Sequence, residues 1–139
     1  MKNIEQRLTQ VAAAFVGAGF TIDYSPNGNK IYGEMMIDGC EANIEYDSLM
    51  SSERIWIESL ETPLAKRGNG AATRMLQRIF NLGDELGMPV MLEAVPIGKE
   101  IRMTVDQLVG WYERRGFVVV KHFGHFCDMA RPVRELATS

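Results

Sequence analysis

The stretch from residue 54 to residue 95 constrains the fold of this 139-residue chain most strongly. Residues 54–61 have the composition of a strand, and a glycine-containing loop follows them. The next apolar positions are spaced by three and four, as in a helix: Ala72, Met75, Ile79, Leu82 and Leu86. Gly87 and Pro89 end that helix, and residues 90–95 form an apolar run that predicts a central strand covered on both faces. This order predicts a crossover connecting two parallel strands.

The residues before the crossover predict one helix and then antiparallel strands. Asn3 and Gln6 have the spacing of a capping box for a helix that ends near Gly17. Alternation and turn residues then predict strands at 20–24, 30–37 and 40–46. The dipeptide Asp38-Gly39 is typical of a tight hairpin between the last two of these strands.

Another capping-box spacing follows the crossover, between Thr104 and Gln107, and predicts a helix that stops at Gly116. Strands are expected at 117–123 and 125–130. We therefore predict an α/β fold of mixed α+β type, in which a central, mixed, mostly antiparallel, twisted sheet has helices on both faces. Residues 1–139 are expected to form a single domain.

Composition narrows the expected partners and location. The chain has 18 acidic and 15 basic residues, a net charge of -3, and no concentrated run of lysine or arginine. Binding to a nucleic acid backbone needs concentrated positive charge, so we expect no nucleic acid partner. No window approaches the roughly 18 apolar residues of a membrane span, and we expect a cytoplasmic protein that does not contact membranes. Cys40 and Cys127 are expected to be reduced, and we expect no metal site.

The loop at residues 66–72 lies where the first crossover strand leads into its helix. Glycines at 68 and 70 would let the backbone approach an anion at the helix N-terminus. The loop lacks the Gly-Lys-Ser/Thr of a Walker loop and the third glycine of a dinucleotide fingerprint. It therefore predicts a site of pyrophosphate size, although glycine is also common where a strand only has to turn into a helix.

This loop resembles the phosphate-binding signature of the GNAT superfamily of acyl-CoA-dependent N-acyltransferases. That signature is Arg or Gln, two residues, Gly, one residue, then Gly or Ala, and Arg67, Gly70 and Ala72 occupy its positions. Residues 111–117, Trp-Tyr-Glu-Arg-Arg-Gly-Phe, are similar to the family's aromatic-Tyr-x-x-x-Gly-Phe segment. The resemblance covers residues 55–120 and predicts a GNAT-like fold.

The sequence departs from the family pattern in two places. Pro63 stands one residue farther from Arg67 than the usual proline stands from the signature arginine. No asparagine follows soon after Val95. The sequence therefore does not determine where the chain leaves the strand at residues 90–95.

The resemblance implies that acetyl-CoA is the cosubstrate and that an amine attacks it directly, without a covalent enzyme intermediate. It also implies that a bulge near the end of the strand at 54–61 splays the sheet and admits the pantetheine arm. The residues expected to bind the cofactor are Leu60, Glu61, Thr62, Arg67, Gly68, Asn69, Gly70, Ala71 and Ala72.

Tyr112 and Glu58 are the expected catalytic residues, by similarity to the family. Tyr112 would donate a proton to the departing thiolate, and a phenol suits this because its ordinary pKa lies close to that of a thiol. The alternative is that Tyr112 packs on the apolar stripe with Val105 and Leu108. Glu58 would accept the proton of the amine, with Glu61 as a competitor, and the alternative is a carboxylate that only faces solvent.

Glu93 interrupts the apolar strand at 90–95 and is expected to bind the substrate amine. The alternative is an ordinary ion pair with an arginine of a neighbouring element. The loop at residues 96–103 is expected either to border the acceptor pocket or to be merely solvated.

These observations predict an N-acetyltransferase whose acceptor is an amine of a small molecule or of a protein. The alternative is a non-catalytic binding or interaction protein that shares the fold, because fold alone does not specify chemistry. A homodimer formed through an edge strand near either terminus is left open as well.

Overall fold

The computed structural model describes residues 3–62, 68–95 and 103–134, and within these ranges the chain forms three helices and seven strands. Every helix and strand expected from the sequence is present, with ends that differ by at most a few residues. The elements in chain order are α1 (Ile4–Gly17), β1 (Thr21–Tyr24), β2 (Lys30–Ile37), β3 (Cys40–Asp47), β4 (Ile55–Glu61), α2 (Ala71–Leu86), β5 (Val90–Ala94), α3 (Val105–Glu113), β6 (Val118–His122) and β7 (Cys127–Arg131).

The described strands form one sheet in the order β1-β2-β3-β4-β5-β7-β6. Strands β4 and β5 are parallel, and every other neighbouring pair in that order is antiparallel. The predicted crossover and the predicted mixed, mostly antiparallel sheet are both confirmed. The Asp38-Gly39 hairpin is also present, and both residues have positive φ, at 49° and 87°, as a type I′ turn requires.

Close packing places α1 and α2 on the same face of the sheet. A Cβ at Gly33 of β2 would lie 3.0 Å from the Phe15 ring of α1. A Cβ at Gly83 of α2 would lie 3.0 Å from Val90 of β5. Gly33 and Val90 belong to the buried set of alternating strand residues, so the sheet face under both helices is the apolar one.

Helix α3 packs on that same face, beside α2. The Phe117 ring lies between the Phe80 ring of α2 and the Tyr112 ring of α3, with centroid distances of 5.4 and 5.3 Å. Arg115, just after α3, donates a hydrogen bond to the hydroxyl of Thr73 in α2 at 3.0 Å. All three described helices therefore cover one face, and the expected placement of helices on both faces is not found in the described part of the chain.

The physical reason is the alternation along the strands. On β3 the buried residues alternate with polar residues that point to the opposite face, and that face has little apolar surface for a helix to cover. The same holds for β5, where Leu92 is buried and Glu93 is exposed. The expectation that β5 is covered on both faces is therefore wrong for the described structure.

A buried ion pair fixes α2 against β7. Arg131 is only 4% exposed, and its guanidinium donates to the Asp84 carboxylate and lies 4.7 Å from the Phe80 ring centre. The Arg134 backbone N–H donates to the same carboxylate at 2.9 Å. Burial alone would raise the pKa of Asp84, but the hydrogen bonds from Arg131 and Arg134 outweigh it, and the pKa is lowered.

None of the helices in residues 3–62, 68–95 and 103–134 is long and apolar enough to cross a membrane.

Candidate functional site

The N-terminus of α2 is built from small exposed residues with unusual backbone angles. Gly70 is the N-cap with φ of 78°, and Gly68 has φ of 89°. These left-handed angles favour glycine, because a Cβ would strain the backbone there. The chain therefore turns sharply into α2, and its backbone stays accessible at Gly68, Asn69 and Gly70.

The N-termini of the other described helices are closed, whereas that of α2 is open. The Gln6 and Gln107 backbone N–H groups donate to the N-cap side chains Asn3 and Thr104, and both capping boxes are complete. Both helices also carry an acidic residue in the first turn. Helix α2 has glycine at its N-cap, which supplies no capping side chain, and no acidic residue in its first turn, and among its first amides the Ala71 N–H donates to the neutral Asn69 side chain. Its first-turn amides and the positive end of its dipole are therefore suited to an anion.

Side chains hold the loop before α2 against the β2–β3 turn. Arg74 donates to the Asn69 backbone carbonyl and to the Asp38 carboxylate, both at 2.7 Å. The Asn69 carboxamide oxygen accepts a hydrogen bond from the Ala71 N–H at 2.9 Å. Asn69 thereby orients the first backbone amide of the helix, and Arg74 adds positive charge beside it.

The parallel strands β4 and β5 separate close to this loop. They pair from Ile55↔Val90 to Ile57↔Leu92, although β4 continues to Glu61 and β5 to Ala94. On the other side of β4 the register shifts, because Asn43 pairs with Ser59 and Ile44 pairs with Ile57. Glu58 is thus the extra residue of a bulge, which bends the strand away from β5.

A splayed sheet was expected from the resemblance, but with its bulge near residues 60–62. The bulge in the structure lies at Glu58, two residues earlier. Leu60 and Glu61 follow the bulge, in the part of β4 that no longer pairs with β5. Leu60 is half-buried against the core, and Glu61 is exposed. Thr62 follows β4 directly.

Tyr112 lies in α3 with its ring held by aromatic contacts. The Trp111 and Phe117 rings are edge-on to it at 5.1 and 5.3 Å. Burial and, secondarily, the nearby Cys40 raise the pKa of Tyr112 to about 12. The Cys40 side chain is itself hydrogen-bonded to Thr62, although burial dominates and raises the pKa of this thiol. Tyr112 therefore lies near Cys40 and the end of β4. Its ring also packs against the Trp111 and Phe117 rings.

Glu58 lies on the uncovered face of the sheet, beside Glu45 of β3. Burial raises the pKa of Glu58, and the charge of Glu45 and a hydrogen bond shared by the two carboxyl groups raise it further. Lys30 acts in the opposite direction and donates to Glu45 at 3.3 Å. A glutamate with a raised pKa is a stronger base than an ordinary one, which suits a proton acceptor.

Glu93 also lies on the uncovered face, where it is exposed and opposite Asp128 of β7. The sequence interpretation assumed that a carboxylate in β5 would be buried, and this is wrong. The alternative of an ion pair with arginine is also not found among the described residues. Glu93 and Glu58 lie on the same, uncovered face of the sheet, on the two strands that border the gap between β4 and β5. An amine could approach the gap from this face.

Arg67 and most of the loop at 96–103 lie outside the described residues, so the roles expected for them stay predictions. In the part of the chain that the structure describes, no group of three or more His, Cys, Asp or Glu side chains could hold a metal ion.

Sequence reasoning missed four neighbours of the expected site residues. Arg74 and Asp38 anchor the loop before α2, Glu45 contacts Glu58, and Cys40 lies beside Tyr112. Glu45 could have been found, because its alternation in β3 places it on the polar face. The contacts of Cys40 and Asp38 join distant segments, and no local pattern indicates them.

No family model and no curated protein sequence matches the chain, but solved structures do. Nourseothricin acetyltransferase is 14% identical, with 83% of this chain and 84% of that chain covered and a TM-score of 0.54. Escherichia coli ElaA is 19% identical, with 90% and 87% covered and a TM-score of 0.53. The NatC complex bound to Gag peptide and CoA is 15% identical, with 96% of both chains covered and a TM-score of 0.52.

These matched structures are GNAT acetyltransferases, and their strand and helix arrangement agrees with the seven-stranded sheet and three helices of the described residues. At these identities the likeness concerns the fold. The chain therefore has the fold of the GNAT acetyltransferases.

Proposed function

We propose that this chain is an N-acetyltransferase that transfers the acetyl group of acetyl-CoA to an amine by direct attack. One observation carries the proposal: the open N-terminus of α2 lies next to the gap between β4 and β5. An anion site and an exposed strand edge in this arrangement suit a ligand with a pyrophosphate and an extended amide-containing arm. The matched NatC structure is a complex with CoA and a peptide, which supports the same cosubstrate.

The residues present fit acetyl-CoA. Gly68, Asn69 and Gly70, with the first-turn amide of Ala72, would hold the pyrophosphate, because they combine close backbone approach with the positive end of the helix dipole. The Ala71 N–H donates to the Asn69 side chain and would contact the pyrophosphate by exchanging that hydrogen bond. Arg67 would add positive charge. The backbone of Leu60, Glu61 and Thr62 would hydrogen-bond the pantetheine arm along the separated edge of β4.

Glu58 and Tyr112 would carry the proton transfers. The amine nitrogen attacks the thioester carbonyl carbon, a C–N bond forms, and the C–S bond breaks. Glu58 takes a proton from the amine, and Tyr112 gives a proton to the thiolate. Tyr112 is protonated at neutral pH and is therefore available as the acid, although burial raises its pKa to about 12 and so moves it away from that of a thiol. Glu93 would attract the substrate ammonium group to this place.

Most of the acceleration would come from placing the amine and the thioester carbonyl together and from polarising that carbonyl. Effective molarities for well-oriented groups reach about 10⁵ M or more, whereas one proton-transfer residue contributes about 10²-fold to 10⁴-fold. The backbone amides beyond the bulge at Glu58 are the groups available for polarisation.

The competing proposal is a non-catalytic protein of the same fold that binds a partner and transfers nothing. An assay that follows release of free CoA thiol, with a panel of amines and radiolabelled acetyl-CoA, separates the two. Transfer of the label to an acceptor supports the enzyme. CoA binding without any label transfer, with both small amines and peptides in the panel, contradicts it.

We propose a cytoplasmic location, in line with Cys40 and Cys127, which are both free thiols in the structure. A homodimer through a sheet edge also stays a proposal. The edges of the described sheet are β1 and β6, and all five residues of β6 are exposed. Sedimentation velocity over a range of concentrations tests it, and a single monomer-sized species throughout contradicts it.

A further inference from the structure

The face of the sheet opposite the helices has no described element packed against it. Its side chains come from the alternate strand positions, and the sheet is open toward it where β4 and β5 separate. Trp56 and Tyr32 contribute aromatic surface on either side of Glu45. We call this surface, which runs across the sheet from β1 to β6, the acidic face.

Carboxylates dominate the charged positions of the acidic face. They are Asp23, Glu34, Glu41, Glu45, Asp47, Glu58, Glu61, Glu93 and Asp128. The cations that the described residues place there are Lys30, Arg54 and Lys121. Lys30 is held by Glu45, and Arg54 stacks on the Trp56 ring at 4.7 Å. The whole chain has a net charge of only -3, so negative charge is concentrated on this one surface.

Glu45 and Glu58 are neighbouring carboxylates on the acidic face, and a cation bound beside them would reduce the repulsion between them. The charge of Glu45 raises the pKa of Glu58, because the two carboxylates repel each other when both are ionised. Lys30 relieves part of this repulsion through Glu45. A second cation arriving at Glu58 would relieve the rest, and Glu58 lies at the bulge where β4 leaves β5.

The shape of the acidic face indicates the size of its partner. Neighbouring strands lie about 4.8 Å apart, so the four steps from β2 to β7 span about 19 Å. Small ligands bind in concave sites that enclose them, whereas an extended chain can lie across an open sheet face. Charge complementarity then requires that this chain be basic.

We propose that the acidic face binds a lysine- or arginine-rich segment of another protein and places the amine of one of its lysines at Glu58. This rests on the proposed acetyltransferase function and gives its acceptor a class. The acceptor would be a lysine flanked by further positive charges. The distant carboxylates Glu34 and Glu41 would contact the flanking charges, and Glu58 would meet the reacting amine.

Three probes of known composition test the proposal: a peptide with one lysine flanked by arginines, the same peptide with glutamates in place of the arginines, and spermidine. We expect kcat/KM for the basic peptide to exceed that for the acidic peptide at least about tenfold, and to fall steeply between low and high salt. Equal values for the two peptides, or a preference for spermidine over the basic peptide, would overturn the proposal.

The variant Glu34→Lys and its control Glu85→Lys change the charge equally, but Glu85 lies in α2 on the helical side. Glu34→Lys is expected to raise the KM for the basic peptide at least about fivefold and to leave the KM for acetyl-CoA unchanged. Equal effects of the two variants would contradict a docking role for the acidic face.

Fluorescence anisotropy of the labelled basic peptide, with CoA present, distinguishes failure of this proposal from failure of the proposed function. Binding that is weakened at least about fivefold in Glu34→Lys and unchanged in Glu85→Lys supports the acidic face even if no acetyl group is transferred. CoA binding without peptide binding overturns the acidic face and leaves the acetyltransferase proposal standing.

Discussion

Arg74 and Asp38 form an ion pair of 2.7 Å that connects the first turns of α2 to the β2–β3 hairpin. Arg74 also donates to the Asn69 carbonyl, so one side chain positions the loop that would hold the pyrophosphate. Both partners of the pair are about half exposed, and an exposed pair of this kind contributes at most about 1 kcal/mol to folding. Its importance therefore lies in the position of the loop.

Replacing Arg74 with leucine should weaken CoA binding about fivefold to tenfold, because the loop loses its anchor and the anion site loses a positive charge. The Tm should change little. The matched control is Arg78→Leu, one turn later in α2, which removes the same charge away from the loop. Titration calorimetry gives both affinities, and equal losses in the two variants would mean that Arg74 acts only through net charge.

Tyr112→Phe should lower kcat by about 100-fold and leave the affinity for acetyl-CoA unchanged. Phenylalanine keeps the edge-on contacts with Trp111 and Phe117, so only the proton donor is removed. Steady-state kinetics and a thermal melt measure the two effects. A kcat equal to that of the wild type would show that Tyr112 serves only in packing.

The pH dependence of kcat/KM should respond in opposite directions to two changes around Glu58. The base must be deprotonated to work, so activity is lost as pH falls through its pKa, which burial and Glu45 raise above the ordinary value of 4.5. Glu45→Gln should move this acid limb to lower pH, and Lys30→Met should move it to higher pH. Shifts in the same direction, or an acid limb that neither variant moves, would rule out Glu58 as the group that titrates.

Asp84→Asn should destabilise the fold by about 3 kcal/mol, because it leaves the Arg131 guanidinium buried without a counter-charge. The pKa of Asp84 is lowered on folding, so the stability it contributes is present above the unfolded pKa and is lost as pH falls through the folded value. Urea unfolding of the wild type should therefore lose this contribution below about pH 4, the ordinary range of aspartate. A variant as stable as the wild type at neutral pH would contradict this.

Local patterns were sufficient for the elements and for the parallel crossover. The capping boxes at Asn3 and Thr104 and the left-handed Asp38-Gly39 turn depend on residues close in sequence, and each is present as expected. Alternation along β3 predicted that strand, and its buried residues do alternate with polar ones. It did not show that the described helices all lie on one face, because an apolar run such as β5 does not distinguish a strand covered once from one covered twice.

Local sequence patterns predicted less of the candidate functional site than of the fold. Glycines and a helix start indicated an anion site, but the anchor from Arg74 to Asp38 spans 36 residues. The contact between Glu58 and Glu45 depends on a bulge that shifts the register of β4 by one residue, and register slips of this kind follow from packing. The orientation of Glu93 likewise depends on which face of the sheet the helices occupy.

In the proposed function the open N-terminus of α2 binds the pyrophosphate of CoA. Titration calorimetry of CoA into the wild type, Gly70→Glu and Gly28→Glu tests it most directly. Both glycines have left-handed backbones, with φ of 78° and 75°, and both variants add the same charge. A Cβ at Gly70 would also lie 3.1 Å from the Arg74 guanidinium, whereas a Cβ at Gly28 would have no atom within 4 Å. We expect binding by the wild type and by Gly28→Glu, and none by Gly70→Glu, because its carboxylate would repel the pyrophosphate. Equal affinity in all three proteins, or no CoA binding by the folded wild type, would contradict the claim.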